Sequence, residues 1–335
     1  MVPGSMWSYV FGYGFTVLQM IPFFWILTNV LKDDKLSNGV VYAFALGCLG
    51  LVICQYLHVQ GTGDAAIAEK TMKQGRDTVL GEDPIKTAQS YSLGLLCCIG
   101  ILVGKWKWWQ KATVVPVIPV VLFYMLLLGA RGAVLALVVG AAVFLLAGKN
   151  LVQKSIVIFI VMSIIGGVVF ISSMNKTLNT RWNLAIHGDF AKREVLLPIE
   201  VEMVAERPLF GWGPERNLVE LGHRTGRNRF DMHNMYMWVA TEVGLVGFAP
   251  LMMGLALCLV GGWAARNGNS GYLPLALMVA LLVSNCSIST LHRKSFWLVS
   301  AYALATGSVM LPSDRQQRSV SQIADVGRNA QSLEG

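Results

Sequence analysis

Apolar and polar residues alternate along the chain in long blocks rather than at short helical or strand periods. Nine apolar stretches stand out, bounded by Trp7–Leu31, Gly39–His58, Ala88–Gly104, Ala112–Leu128, Gly132–Gly148, Ser155–Ser172, Met235–Trp263, Tyr272–Ile288 and Phe296–Leu311. A helix needs roughly 20 apolar residues to cross the hydrocarbon of a bilayer, and each stretch is near that length. The pattern therefore predicts an all-α integral membrane protein, a polytopic bundle of about nine spans with a large external loop between spans six and seven. The fourth and fifth stretches are separated by Gly129-Ala130-Arg131 alone, which predicts a tight helical hairpin.

Four regions follow: N-terminal transmembrane helices over 1–172, an external loop over 173–232, C-terminal transmembrane helices over 233–311 and a polar cytoplasmic tail over 312–335. The loop carries nine Lys/Arg and eight Asp/Glu, so polar chemistry collects there. Within it, Arg193 to Arg207 reads as an amphipathic helix at the membrane surface, with Leu197, Val201 and Val204 on one face and Pro198 starting or kinking it.

Composition agrees with a membrane protein: 54% of residues are hydrophobic, 14% are charged and the mean hydropathy is +0.55. The formal charge of +8 is scattered between apolar runs, which points to membrane topology and anion binding rather than to nucleic acid. Short cytoplasmic loops are enriched in Lys and Arg. Lys105, Lys107, Lys111, Lys149, Lys154, Arg266, Arg315 and Arg318 then mark the inside, leaving 59–87, Arg131 and 173–232 outside. The basic turn His292-Arg293-Lys294 also falls outside, against the charge rule. Nine spans with an inside C-terminus require an outside N-terminus, so either one span is miscounted or further helices precede residue 1. Met1–Ser8 has no Lys or Arg and does not read as a cleavable signal. All six cysteines fall in apolar runs, which argues against a disulfide framework or a cysteine metal site.

Several motifs follow in order. Gly81-Glu82-Asp83-Pro84 precedes the third span, and Arg131-Gly132 closes the tight turn. Arg193 opens the outer helix, and Pro208-Leu209-Phe210-Gly211-Trp212-Gly213-Pro214 follows it. His233-Asn234 stands before the seventh stretch, which continues to Glu242-Val243-Gly244-Leu245-Val246-Gly247. In that order and spacing the chain resembles the O-antigen ligase and polymerase family from about Gly81 to Gly247. It departs from the family in having Ala130 where a Ser commonly precedes the arginine. Members usually carry about twelve spans, which again points to helices upstream of the nine.

The resemblance implies a glycan on an isoprenoid diphosphate as donor, lipid A-core or another hydroxyl as acceptor, and a bacterial inner-membrane protein with its active face external. Membrane lipid is an expected partner, and nucleic acid, cofactor and metal are not. His233 is the candidate base, because the first free N–H groups and the dipole of the following helix favour a neutral imidazole. Arg131 and Arg193, with Arg216 in reserve beside Arg181 and Arg207, are candidates for the diphosphate, since a planar guanidinium matches phosphate oxygens. The bland alternative pairs these arginines with Glu194, Glu200 or Glu206. His58, His187, His223 and His292 read as ordinary interfacial histidines. Asn234 reads as a helix cap and Glu242, about 13 Å into the helix, as structural support. Glu82 and Asp83 are adjacent carboxylates at a loop end, where Asp83 before Pro84 equally makes a cap, and they are not expected to hold a metal. Polymerisation of repeat units shares the chemistry of ligation. A non-enzymatic polysaccharide transporter or flippase is the alternative from another class, and a non-catalytic remnant is a third.

Overall fold

The computed structural model describes residues 3–57, 82–147, 151–174, 193–227 and 232–309, with 179–180, 183 and 187. Among the described residues all regular structure is helical. In chain order the helices are α1 (Pro3–Val30), α2 (Asp34–Tyr56), α3 (Pro84–Val103), α4 (Trp108–Val114), α5 (Val117–Leu127), α6 (Arg131–Ala147), α7 (Leu151–Met174) and α8 (Arg193–Glu206). They continue with α9 (Arg216–Arg224), α10 (Met235–Ala264), a 3₁₀ turn at Ala265–Asn267, α11 (Leu273–Asn285) and a last helix α12 over 294–309. Five segments are long and apolar enough to cross a membrane: Asp34–Tyr56, Pro84–Val103, Trp108–Leu127, Leu151–Ile171 and Met235–Asn267. Gly14–Val30, Arg131–Leu146 and Leu273–Asn285 are shorter apolar helices. The stretch read as one fourth span is divided at Val115-Pro116 into α4 and α5.

The centre of the bundle is α3, which packs against α2, α5, α6 and α11. Its Tyr91, Leu95, Leu96, Ile99 and Ile101 are completely or almost completely buried. Two of the polar side chains it carries inward bond across the bundle: Gln89 donates to the Ser284 carbonyl at 3.2 Å, and the Tyr91 hydroxyl donates to Gln55 at 3.0 Å. In a medium without water such pairing is what makes a buried polar side chain tolerable. Outer helices do the opposite. Phe15 and Trp25 on α1, Phe159 and Phe170 on α7, and Met253 and Leu257 on α10 point apolar side chains outward, as a lipid-facing surface requires.

Close antiparallel crossings fix which helix ends lie together. A Cβ on Gly132 would collide with Ser287 at the end of α11, while one on Gly140 would lie 3.1 Å from the Ala276 carbonyl near its beginning. On α10, the Tyr236 hydroxyl donates to the Leu282 carbonyl at 2.9 Å, and Gly262 abuts Pro274 and Leu275. Lys86 at the head of α3 reaches His292, and Gly100 near its end meets Leu273. One end of the bundle therefore gathers the heads of α3, α6 and α10 with the tail of α11, and with them Arg131, His233 and His292. The opposite end gathers the tails of α3 and α10, carrying Lys105 and Arg266, with Asp34 bonded to Asn269 at 2.7 Å.

Helix α10 is broken at Gly244, where φ is 62° and ψ is −165°. The loop after α8 fills the break. Trp212 and Gly213 donate their backbone N–H groups to the carbonyls of Thr241 and Glu242 at 2.7 and 2.9 Å. In return the N–H groups of Leu245 and Val246 donate to the carbonyls of Pro208 and Leu209 at 2.8 and 3.2 Å. Four backbone groups freed by the interruption are thus satisfied by the chain segment laid across it, as a break in an apolar helix demands. The approach leaves no space for a side chain. A Cβ on Gly211 would stand 2.6 Å from the Thr241 carbonyl oxygen, and one on Gly244 would collide with the Leu209 carbonyl.

Gly244→Ala and Gly211→Ala are each expected to destabilise the protein by on the order of 2 kcal/mol or more, from left-handed backbone cost plus collision. Gly213→Ala, at φ 87° with open space around it, should cost only about 1 kcal/mol. Thermal midpoints in one detergent check the ranking; equal midpoints for all three variants would remove the stitched break as a source of stability.

Candidate active site

Three elements meet at the site. α8 is a 14-residue helix whose register places Leu196, Ile199, Glu200 and Met203 on its inner face. Leu196 and Met203 pack with Leu218 and Leu221 of α9, with Met232 and with Trp238 of α10. The face expected from Leu197 and Val201 is the other one: both are largely exposed, so α8 has an inner apolar face against protein and an outer one free to meet lipid. Pro198 stands in the second turn, and the helix continues through it.

α9 is tied to α8 by charge and by a ring. Arg224 donates to Glu220 at 2.9 Å and to Glu206 at 2.7 Å, with Glu202 at 3.7 Å. The hydrogen bond from Arg224 holds the Glu206 carboxyl below its ordinary pKa. Arg207 and Arg224 both lie over the Trp212 ring, at 4.2 and 5.5 Å, while the indole N–H donates to the Met203 carbonyl at 2.9 Å. Arg207, a reserve candidate for phosphate, is thus engaged with Trp212.

At the head of α10, the Asn234 side chain accepts from the N–H groups of Tyr236 and Met237 at 2.9 and 3.4 Å, capping the helix. His233 immediately precedes the cap and is half-buried. The third wall is the tail of α11. Its polar run Ser284-Asn285-Cys286-Ser287-Ile288-Ser289-Thr290 closes on itself, with Asn285 accepting from both the Thr290 N–H and its hydroxyl at 2.9 Å.

Between these walls lies a cavity of about 330 Å³ lined by Glu194, Leu196, Leu197, Glu200, His233, Asn234 and Cys286. Glu200 is 3% exposed, and burial pushes its carboxyl up to about 7. Cys286 is the exposed member among the six free thiols.

The other expected residues distribute as follows. Arg131 is half-buried at the head of α6, at the same end of the bundle as His233, and Arg216 is exposed at the head of α9. Neither lines the cavity. Arg193 opens α8 next to Glu194, but its side chain lies outside the described residues, as do Arg181 and His58. Glu242 is buried two residues before the break in α10, where its carbonyl accepts from the Gly213 N–H. Glu82 pairs with Arg293, and Asp83 caps α3 by accepting from the Ile85 N–H at 2.8 Å. His292 lies 3.3 Å from the Lys86 ammonium; burial first, then the charges of Lys86 and Arg293, push it down to about 4. The His187 Nδ1–H donates to the Asn183 carbonyl at 2.7 Å, and His223 is exposed in the last turn of α9.

Residues 116–252 match a family model described as O-antigen ligase. That segment is similar to the O-antigen ligase family. That segment runs from the head of α5 into α10 and contains Arg131, α8, the stitched loop, His233 and Asn234. The match likens this part of the chain to membrane glycosyltransferases of the O-antigen ligase and polymerase type. Among curated proteins none matches the chain.

Glu200 and Cys286 were not singled out as site residues from the O-antigen ligase resemblance. For Glu200 a signal was present: it falls between Leu196 and Met203 in the i, i+4, i+7 register of a buried helix face, where a carboxylate is costly. For Cys286 the signal was the run of small polar residues ending an apolar stretch.

The raised Glu200 pKa carries a definite sign. The folded protein binds this proton more tightly than the unfolded chain, whose value is near 4.5, so stability falls as pH rises from about 4.5 to about 7 and then levels. Glu200→Gln abolishes that slope. The variant should match the parent near pH 4 and exceed it at about pH 8 by on the order of 3 kcal/mol. Melting curves across pH check this; parallel curves would place the Glu200 carboxyl in a wet environment.

Proposed function

We propose that the protein transfers a glycan from an isoprenoid-diphosphate carrier to a hydroxyl on the external face of a bacterial inner membrane, with His233 as base. The observation that carries this reading is the position of His233: next to the capped head of α10, on the wall of a cavity, inside the O-antigen ligase segment. The dipole and free N–H groups at that helix head oppose extra positive charge and favour the neutral imidazole that a base requires.

In the proposed reaction the acceptor O–H proton passes to an imidazole nitrogen of His233 as the oxygen attacks the anomeric carbon. The bond from that carbon to the diphosphate oxygen breaks, and the electron pair leaves with the isoprenoid diphosphate. Attack from the face opposite the leaving group inverts the anomeric centre. Diphosphate is already a good leaving group, so a positioned base and cations on its oxygens suffice without a metal ion. Arg131 and Arg193, with Arg216, are the proposed holders of the diphosphate. The half-buried setting of Arg131 at the head of α6 favours it, because an incompletely hydrated guanidinium binds phosphate oxygens more strongly than a solvated one. Ligation and polymerisation differ in the acceptor alone, and lipid A-core is the proposed acceptor.

His233→Ala should lower turnover by about 10²–10⁴ with the thermal midpoint retained. Near-normal transfer by the purified variant, with lipid-diphosphate glycan as donor, would reduce His233 to a residue at a helix end.

The external face has an intrinsic reporter in Cys286. A membrane-impermeant maleimide should modify Cys286 in intact cells, read by mass spectrometry of the peptide. Modification that appears only after permeabilisation would turn the site toward the cytoplasm.

A further inference from the structure

The cavity wall has a chemical character of its own. Among the described residues it is lined by two carboxyl groups, an imidazole, a carboxamide, a thiol and two leucines, and by no cation. A diphosphate brought into this space would meet the Glu194 carboxylate and a Glu200 carboxyl whose ionised form is already disfavoured by burial, and finds no opposite charge there, which is unfavourable. A neutral polyol meets the opposite situation. Sugar hydroxyls donate to carboxylate and imidazole, accept from carboxamide, and leave the C–H faces of the ring for Leu196 and Leu197.

Glu200 strengthens the argument independently. As a residue it is 3% exposed, it lines the cavity, and among the described residues neither a hydrogen bond nor an ion pair engages its carboxyl; desolvation is the influence acting on its titration. A buried polar group left in that state is costly unless a ligand completes it. The surrounding elements supply few charges. α9 presents Arg224 toward Glu202 and Glu206, α10 contributes His233 here and Glu242 further along, and α11 contributes Cys286. Glu194 is the neighbouring carboxylate on α8 itself.

We infer that the cavity between α8, the head of α10 and the tail of α11 is a sugar-hydroxyl subsite, with Glu200 as the residue that grips the acceptor beside His233. The inference rests on the transfer reading above and adds to it a division of labour. The acceptor sugar occupies the acidic cavity, and the diphosphate lies outside it, toward cationic side chains. Glu200 accepts a hydrogen bond from an acceptor hydroxyl and orients it toward the imidazole; the covalent steps remain those already written.

The test uses the full-length protein in detergent and the rate at which maleimide modifies Cys286, followed by peptide mass spectrometry. Methyl glucoside and methyl galactoside serve as sugar probes, and inorganic pyrophosphate as the anionic probe. Expected is slower modification with at least one hexoside, no slowing with pyrophosphate, and loss of the hexoside effect in Glu200→Gln. In turnover, the same variant should raise the acceptor KM roughly ten- to hundredfold, the usual loss for a charged hydrogen bond, and leave donor binding unchanged. Protection by pyrophosphate, or by neither hexoside, overturns the subsite in the parent protein whatever the variant does. Wild-type acceptor KM in a folded Glu200→Gln protein overturns the role of Glu200. The two readings fail separately. A parent protein that transfers no glycan yet shows hexoside protection loses the transferase reading and keeps the sugar site, whereas transfer without protection removes the subsite alone.

Discussion

The structure depends on one constraint: backbone polar groups in a lipid-spanning helix must all find partners within the protein. α10 violates its own ladder at Gly244, and the loop from Pro208 to Gly213 repairs it with four backbone hydrogen bonds. That repair has a geometric consequence. It anchors the end of α8 against α10, so the inner face of α8 comes to lie beside the head of the same helix. The two glycine motifs, 211–213 and 244–247, are therefore two halves of one joint. Neither resembles a ligand-binding turn in its role here, since Gly211 and Gly244 are needed for backbone contact with each other's segment.

Around that joint, charge and aromatic contacts keep α8 and α9 in register. Arg224 holds carboxylates from both helices and lies with Arg207 over Trp212, whose indole in turn reaches the backbone of α8. A partly exposed ion pair by itself adds little stability. Three carboxylates on one guanidinium, set against an aromatic face, act chiefly to fix geometry. The outcome is a small protein-lined chamber at one end of the bundle, with the apolar outer stripe of α8 left exposed.

The polar residues at this end divide into two kinds. Asn234, Asn285, Asp83 and the Glu82–Arg293 and Lys86–His292 pairs spend their hydrogen-bonding capacity on holding helix ends and turns. Glu200 and His233 face a cavity. This division separates helix-end support from the cavity wall more sharply than residue type does. Histidine and glutamate occur in both groups, and the difference lies in whether the residue lines the cavity.

Length and hydropathy alone determined the helical membrane class and where each apolar segment lies, because a bilayer imposes a minimum length and tolerates no unpaired backbone. The order of the motifs between Gly81 and Gly247 determined the O-antigen ligase resemblance, and the positions of Asp83 and Asn234 before helices were already legible as caps. What tertiary structure alone decided is which of two apolar faces α8 buries, that Gly244 interrupts α10, and that Glu200 and His233 line one cavity. Those outcomes depend on contacts between segments distant in sequence. The periodicity of α8 is satisfied equally by facing lipid with Leu197 and Val201 or protein with Leu196 and Met203, and a glycine in an apolar run reads the same whether the helix passes through it or breaks. Only the loop seated in the break settles both choices, since it brings the backbone partners that make the break affordable and leaves Glu200 on the inner side.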